Sequence, residues 1–205
     1  MTAKPTPRPS PRPISRRQRP RAPGPQRDAT PTQAGADAAA IIRVDHAGEY
    51  GAVRIYEGQL AVLRARAGTS PAVKVIAHMA EQEQQHLNAF DVLINDRRVR
   101  PTALGPLWHV AGFALGAASA MLGEKSAMAC TAAVEEVIDE HYAKQVAALD
   151  HDPALKKTIA DFRADEIAHR NEALSHGAES APAYRLLSTA VKAGCHLAIR
   201  LSERL

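Results

Sequence analysis

Two short segments of the chain carry a glutamate that is followed three residues later by a histidine. They read Glu83-Gln84-Gln85-His86 and Glu166-Ile167-Ala168-His169. Side chains three residues apart on a helix lie next to each other on one face, so the carboxylate and the imidazole of each segment can reach one ion. A single copy is weak support for a metal site, because both residue types are common on solvated helix faces.

A further glutamate precedes each segment at a similar distance. Glu49 lies 34 residues before Glu83, and Glu135 lies 31 residues before Glu166. Four-helix bundles that bind two iron or manganese ions take one glutamate from each of two helices and one Glu-x-x-His pair from each of the others. The repeated order predicts six metal ligands, which are Glu49, Glu83, His86, Glu135, Glu166 and His169.

The neighbours of Glu83 argue that these groups face inward. Its helical stripe is apolar and carries Ile76, Met79, Leu87, Phe90 and Ile94. A buried carboxylate without a partner costs several kcal/mol, so this stripe favours a bound cation over the alternative that all six groups lie on the surface. Four carboxylates and two imidazoles without a thiolate favour iron or manganese over structural zinc.

Three nearby polar residues leave alternatives. Glu136 is next to Glu135, but its own stripe continues through further polar residues, whereas the stripe of Glu135 carries apolar ones, so we predict Glu135 as the ligand. Asp45 and His46 are rival inward groups near Glu49. We interpret both as partners that support the ligands.

The elements that position these residues are helices throughout. We predict long helices over residues 37–66, 71–96, 124–149 and 153–175, with shorter ones over 107–122 and 182–204. Gly68 ends the first, and the pairs Ser70-Pro71 and Asp152-Pro153 each place a capping residue before a proline at the first helical position. The fold class is therefore all-α, with a four-helix bundle and two additional helices.

The basic charge of the chain belongs to its beginning. The net charge is +4, but residues 1–40 hold eight of the 26 basic residues and two of the 22 acidic ones. Nine of the 14 prolines fall within residues 1–31. We expect residues 1–35 to be a disordered Pro/Arg-rich tail, inert or weakly attracted to anionic lipid, with a transit peptide or a nucleic-acid arm as alternatives. Residues 36–205 form the predicted helical domain.

The two cysteines and one apolar segment limit the class further. Cys130 and Cys195 lie too far apart in sequence for a Cys-x-x-Cys site, and two thiols make no disulfide scaffold. Residues 102–123 hold one titratable group, His109. The segment is rich in Ala and Gly and interrupted by Pro106, so we expect a helix at a membrane interface or at a substrate entrance, rather than a membrane span or a core helix. The last helix is amphipathic.

Several longer stretches of the sequence are distinctive beyond the six predicted ligands. The first is Ile42-Arg43-Val44-Asp45-His46-Ala47-Gly48-Glu49-Tyr50-Gly51-Ala52. Others are Pro106-Leu107-Trp108, Gly112-Phe113-Ala114-Leu115-Gly116, Ala127-Met128-Ala129-Cys130-Thr131 and the closing Leu201-Ser202-Glu203-Arg204-Leu205. Together they resemble the demethoxyubiquinone hydroxylase family of ubiquinone biosynthesis, and the resemblance covers about residues 41–205.

The resemblance implies a ferritin-like monooxygenase with two iron ions, which hydroxylates the ring of a demethoxyubiquinol with dioxygen. It implies that Glu83 and Glu166 bridge the ions, and that His141 and Tyr142 match a pair near the quinol pocket. Tyr142 also faces inward by spacing, since it lies seven residues after Glu135. A core tyrosine with a satisfied hydroxyl is the alternative.

The substrate and the family also imply a location. A polyprenyl quinol is dissolved in the bilayer, so we expect a peripheral protein on the cytoplasmic side of the cell membrane, or on the matrix side of the mitochondrial inner membrane. A lipid-binding accessory protein of ubiquinone biosynthesis is an expected partner, and nucleic acid is not. The chain has no Gly-x-Gly-x-x-Gly fold, so the two electrons come from the quinol, from NADH or from a partner.

Two rival functions use the same helices. A ferritin-like storage protein would keep the ligands, but it has no use for the apolar segment at residues 102–123. A membrane-bound scaffold would keep the apolar surface, but it would leave Glu83 buried without a purpose.

Overall fold

The structure is a computed structural model, and it describes residues 33–205. Six α-helices follow one another along this part of the chain, which contains no strand. They are α1 (Gln33–Ala67), α2 (Pro71–Asp96), α3 (Gly105–Met121), α4 (Glu124–Ala148), α5 (Pro153–Ser175) and α6 (Tyr184–Ser202), with a short 3-10 turn at Ala178–Ser180 before the last. The all-α prediction is confirmed.

Local sequence signals account for three of the helix ends. Helix α1 ends at Ala67 and is followed by Gly68 with φ of +60°, a left-handed conformation that glycine adopts without strain. The Ser70 hydroxyl accepts a hydrogen bond from the Val73 N–H at 3.3 Å. Asp152 accepts one from the Leu155 N–H at 3.1 Å, and a proline follows each cap.

Helix α1 begins four residues earlier than predicted. Residues 33–35, which the sequence analysis gave to the tail, belong to α1. The remaining tail prediction falls on residues 1–32, which lie outside the described residues. At the other end of the chain, α6 is shorter than predicted, since it begins at Tyr184 and ends at Ser202.

Two antiparallel pairs, α1 with α2 and α4 with α5, form the bundle. Apolar side chains fill its two ends. One cluster includes Leu63, Ile76 and Met128, and the other includes Phe90 and Ile159. The predicted ligands lie on the same four helices.

Helix α3 packs along α1 through an unusually close backbone contact. A Cβ atom added at Gly116 would lie 1.9 Å from the Ile55 carbonyl oxygen, and one at Gly58 would lie 2.2 Å from the Phe113 carbonyl oxygen. Glycine is therefore required at both positions. The outer face of α3 is exposed, with Leu107 and Val110 at 51% and 65%.

Helix α6 packs along α4, and its outer face is also apolar. Leu186 and Leu197 are 73% and 58% exposed, and they lie on one stripe because they are eleven residues apart. The Trp108 indole donates a hydrogen bond to the Ser202 hydroxyl at 3.0 Å, which ties α6 to α3. Within residues 33–205, no helix combines the length and the hydropathy that crossing a bilayer requires.

Candidate metal centre

The six predicted ligands meet at the centre of the bundle. Glu49 comes from α1, Glu83 and His86 from α2, Glu135 from α4, and Glu166 and His169 from α5. All six are buried, with exposures of 3% or less. Since four helices each contribute at least one group, only the folded bundle brings them together.

The ligands divide into two overlapping sets of four. In each set, one potential ligand atom per residue lies within 4.8 Å of every other. The first set is Glu49, Glu83, His86 and Glu166, and the second is Glu83, Glu135, Glu166 and His169. Glu83 and Glu166 belong to both sets, which is the arrangement of two carboxylates that bridge two ions.

The electrostatics of the cluster fit bound cations. Eight buried atoms of these six residues have no hydrogen-bond partner among the described residues, including both oxygens of Glu83 and of Glu166 and the Nδ1 atoms of His86 and His169. His169 Nδ1 lies 3.0 Å from Glu83 Oε1, and His86 Nδ1 lies 3.2 Å from Glu166 Oε1. Burying such atoms is costly unless an ion engages them, so the residues fit a pair of divalent cations.

The carboxyl groups of Glu83 and Glu135 resist ionisation when no ion is bound. Burial raises the pKa of Glu83 and of Glu135 well above its usual range, and the charge of Glu166 raises both further. Burial alone lowers the pKa of His86, but the nearby carboxylates of Glu166 and Glu49 outweigh it and raise that pKa to about 11. Metal ligands must be deprotonated, so ion binding at this cluster releases protons.

Two buried tyrosines hold the two glutamates that belong to only one set. The Tyr142 hydroxyl donates a hydrogen bond to Glu49, and the Tyr56 hydroxyl donates one to Glu135 Oε1 at 2.7 Å. The contacts cross between the halves, because each tyrosine lies seven residues after the other glutamate. No role was predicted for Tyr56 from the sequence, although it follows Glu49 by the same seven residues by which Tyr142 follows Glu135.

His141 and its neighbours form a separate polar group beside the cluster. His141 Nε2 lies 3.4 Å from Asp45 Oδ1 and 2.8 Å from Gln145 Nε2. Gln145 donates a second hydrogen bond to Asp45 Oδ1 at 2.7 Å, and His46 Nε2 lies 3.0 Å from Asp91 Oδ1. None of the hydrogen bonds described for Asp45 or His46 reaches a predicted ligand, so their supporting role stays a prediction.

The remaining surroundings of the cluster are aromatic or polar. Phe162 stacks on the His86 ring with 4.1 Å between centroids and meets Phe90 edge to face. On the far side of the imidazoles, His86 Nε2 lies 3.1 Å from Asp165 Oδ2, and His169 Nε2 lies 3.2 Å from Gln82 Oε1. The sequence analysis missed both of these partners.

The structure separates the two adjacent glutamates of α4. Glu135 is fully buried in the cluster. The Glu136 carboxylate instead lies 2.6 Å from the Lys192 ammonium group on α6, with 40% of its side chain exposed. The placement agrees with the helical phase inferred from the sequence.

Comparisons with known proteins agree with this geometry. The family model described as ubiquinone biosynthesis protein COQ7 matches residues 36–202. A Rhodospirillum rubrum protein named 3-demethoxyubiquinol 3-hydroxylase is 59% identical over 165 residues, which covers 80% of this chain and 76% of the relative. A mouse protein named NADPH-dependent 3-demethoxyubiquinone 3-hydroxylase, mitochondrial, is 54% identical over 169 residues, with the same coverage of both chains.

A more distant relative extends the comparison. A Saccharomyces cerevisiae protein named 5-demethoxyubiquinone hydroxylase, mitochondrial, is 40% identical over 182 residues, covering 80% of this chain and 77% of the relative. The matched region includes all six helices of the bundle and its outer layer. The chain belongs to the family of the ubiquinone biosynthesis protein COQ7.

Proposed function

We propose that this chain is a 3-demethoxyubiquinol 3-hydroxylase that works with two iron ions held by the buried cluster. The observation that carries the proposal is the pair of overlapping four-residue sets with eight buried atoms that lack hydrogen-bond partners among the described residues. The name of the Rhodospirillum rubrum relative supplies the substrate, a demethoxyubiquinol, and the mouse relative is named for the corresponding quinone. A storage function is disfavoured because those relatives are named hydroxylases.

The reaction replaces a ring C–H bond by C–OH. One atom of dioxygen enters the ring, the other leaves as water, and two electrons and two protons are consumed. Two iron ions, when bound, supply the oxygen chemistry that the side chains lack. The oxygen-rich ligand set with two imidazoles suits iron.

The protein prepares the site for this reaction in three ways. Glu83 and Glu166 would bridge the ions, because each contributes to both sets. Tyr142 and Tyr56 donate hydrogen bonds that fix the orientation of Glu49 and Glu135. The rings of Phe162 and Phe90 cover the His86 side of the cluster and exclude water from it.

Tyr142 and His141 have different parts in this proposal. Tyr142 is a positioning residue, because its hydroxyl acts through Glu49. His141 lies one residue away with 18% of its side chain exposed, and Asp45 holds its ring. Because part of its ring is exposed, His141 can contact a substrate directly, which fits the role near the quinol that the family resemblance implies.

The apolar outer faces of α3 and α6 support contact with a membrane surface. Both helices expose large side chains, and Met121 adds a 64% exposed residue to those already described. Exposed apolar side chains on amphipathic helices favour the interface of a bilayer, where a polyprenyl quinol resides. We propose peripheral attachment there, at the cell membrane or, as the relatives named mitochondrial support, at a membrane of the mitochondrion. The same faces offer room for a lipid-binding accessory protein.

The test is an oxygen-labelling assay. The iron-loaded chain is mixed with vesicles that contain a demethoxyubiquinol, with ¹⁸O₂ and with NADPH, which the names of the mouse and human relatives specify. We expect one labelled oxygen atom in the ring of the product. Tyr142→Phe should slow the reaction while the product stays the same. An iron-loaded chain that leaves the ring unlabelled, with a reductant present, would refute the proposal.

A further inference from the structure

The two imidazoles of the cluster are held from behind by chemically different groups. His86 Nε2 lies 3.1 Å from a carboxylate oxygen of Asp165, whereas His169 Nε2 lies 3.2 Å from the amide oxygen Oε1 of Gln82. The contacts cross the bundle, because Asp165 is on α5 and Gln82 is on α2. Each partner directly precedes the Glu-x-x-His glutamate of its own helix.

In most other respects the two halves of the site match, one half being Glu49 and His86 and the other being Glu135 and His169. In each half, one histidine presents Nδ1 to the carboxylates at the centre. In each half, a buried tyrosine hydroxyl donates a hydrogen bond to the glutamate that belongs to that half alone, Tyr142 to Glu49 and Tyr56 to Glu135. Glu83 and Glu166 are shared by both sets. The change from carboxylate to amide is therefore the clearest difference among the polar groups that touch the imidazoles from outside, beside the Phe162 ring that stacks on His86.

The chemistry of the outer partner determines which imidazole binds metal more tightly. When Nδ1 binds an ion, the hydrogen atom of the neutral imidazole is on Nε2, which donates it to the outer partner. A carboxylate that accepts this hydrogen bond makes the imidazole a stronger metal ligand, and the loss of such a partner costs ten- to a hundredfold in metal affinity in other sites. A neutral amide orients the ring without adding negative charge. Asp165 is 45% exposed, so water screens part of its effect.

We propose that Asp165 and Gln82 make the two metal positions unequal, so that the ion held by Glu49 and His86 binds more tightly than the ion held by Glu135 and His169. The inference rests on the proposed di-iron function and deepens it. The bundle would then fill in a fixed order, beginning at the half nearer to Asp165.

A stepwise titration of the metal-free chain tests the order. Co(II) is added without oxygen at fixed pH, and its absorption and the bound metal are followed to saturation. The wild-type chain should take up two ions in two steps that differ by at least tenfold in affinity. His169→Ala should keep the tighter step, and His86→Ala should keep only the weaker one.

Two charge variants assign the difference to the outer partners. Asp165→Asn keeps a hydrogen-bond acceptor but removes the charge, and should weaken the first step about tenfold so that the two steps converge. Gln82→Glu should tighten the second step. Asp161→Asn is the matched control, because it removes the same charge one turn earlier on α5, where Asp161 pairs with Lys157. We expect it to change either step less than threefold. Far-UV circular dichroism verifies that each variant is folded.

Three results would overturn the inference. They are two equal steps in the wild-type chain, an Asp165→Asn variant that leaves the first step unchanged, and an Asp161→Asn variant with the same effect as Asp165→Asn. In each case two ions still bind and the proposed function survives. A folded chain that binds no Co(II) would overturn both.

Discussion

The centre of the bundle and its two outer helices depart from the usual distribution of polarity in opposite directions. At the centre, four glutamates and two histidines are buried at 3% exposure or less. On the outside, α3 and α6 expose leucine, valine and methionine side chains by more than half. Buried charges are rare unless paired, and exposed apolar side chains are unremarkable unless they share a face.

The difference between the two regions fits the proposed function, in which each region is completed by something from outside the chain. Eight buried atoms of the six central residues lack hydrogen-bond partners among residues 33–205, and bound cations would engage them. The apolar faces of α3 and α6 lack a covering layer in the same part of the chain, which a bilayer would supply. Because the outer helices hold none of the six ligands, each region can be altered without direct damage to the other.

The largest effect is expected from the centre, in a pair of adjacent substitutions. Glu135→Gln removes a buried ligand and should reduce bound iron from two ions to one and lower hydroxylation at least a hundredfold. Glu136→Gln breaks an ion pair with Lys192 that is partly exposed, and such pairs contribute about 0–1 kcal/mol. Iron analysis and turnover of both variants check this. A dead Glu136→Gln enzyme beside an active Glu135→Gln enzyme would reverse the assignment.

The second effect is expected at the contact between α1 and α3. Gly116→Ala places a Cβ atom against the Ile55 carbonyl oxygen, so the helices must move apart, and we expect a loss of about 1–3 kcal/mol in the free energy of unfolding. Gly194→Ala on α6 is the control, because a Cβ there meets no atom within 4 Å. It should be neutral or stabilising.

The same pair of variants separates the two regions. Iron content should be unchanged in Gly116→Ala, since the ligands come from the other helices and from a different face of α1. Thermal unfolding and iron analysis of the two proteins give the answer. A loss of iron in Gly116→Ala at a temperature where it is folded would show that α3 supports the centre after all.

The third effect concerns a buried carboxyl group beside the centre. Burial raises the pKa of Asp45 from 3.8 to about 6, although the hydrogen bond and charge of His141 oppose the shift. The folded chain therefore holds this proton more strongly than the unfolded chain, and stability is lost as pH rises from about 4 through 6. The shift corresponds to about 3 kcal/mol.

Asp45→Asn imitates the protonated form and should not show this loss. In metal-free protein, the free energy of unfolding of Asp45→Asn minus that of the wild type should increase as pH rises from 4 to 7. The other carboxyl groups are common to both proteins, so their contributions largely cancel in this difference. Denaturant unfolding at several pH values measures the difference. A difference that is constant across this range would contradict the assignment.

The smallest effect is expected on the outer face of α6. Leu186→Glu combined with Leu197→Glu should weaken binding to vesicles several-fold and leave stability and iron content unchanged, because both side chains are more than half exposed. Val92→Glu on α2 is the matched control, with 57% exposure outside the two outer helices. Vesicle co-sedimentation compares them. If the α6 double variant and Val92→Glu lose binding equally, the outer face of α6 makes no specific contribution to the proposed membrane contact.

Much of the fold and the six central residues could be predicted from the sequence because the signals are local. A cap followed by proline at Ser70 and at Asp152 fixes where α2 and α5 begin. The spacing within each Glu-x-x-His segment places the two groups on one face whatever the rest of the chain does. The apolar stripe around Glu83 then shows that this face is buried.

The contacts that were missed all join residues distant in sequence. Helical phase shows that Tyr56 faces inward, but it does not show that the hydroxyl reaches Glu135, which is 79 residues away. The same holds for His86 with Asp165. The glycines of α3 can be read from the sequence. Their close approach to the α1 backbone cannot, because it depends on how the two helices cross, and no local sequence pattern determines that.

The metal content of the purified chain tests directly whether the buried cluster holds two iron ions. The protein is reconstituted with Fe(II) without oxygen, passed through a desalting column and analysed for iron, beside a double variant His86→Ala and His169→Ala. We expect about two iron ions per wild-type chain and a large loss of iron in the folded double variant. A folded wild-type chain that retains no iron, or a double variant that retains as much as the wild type, would contradict it.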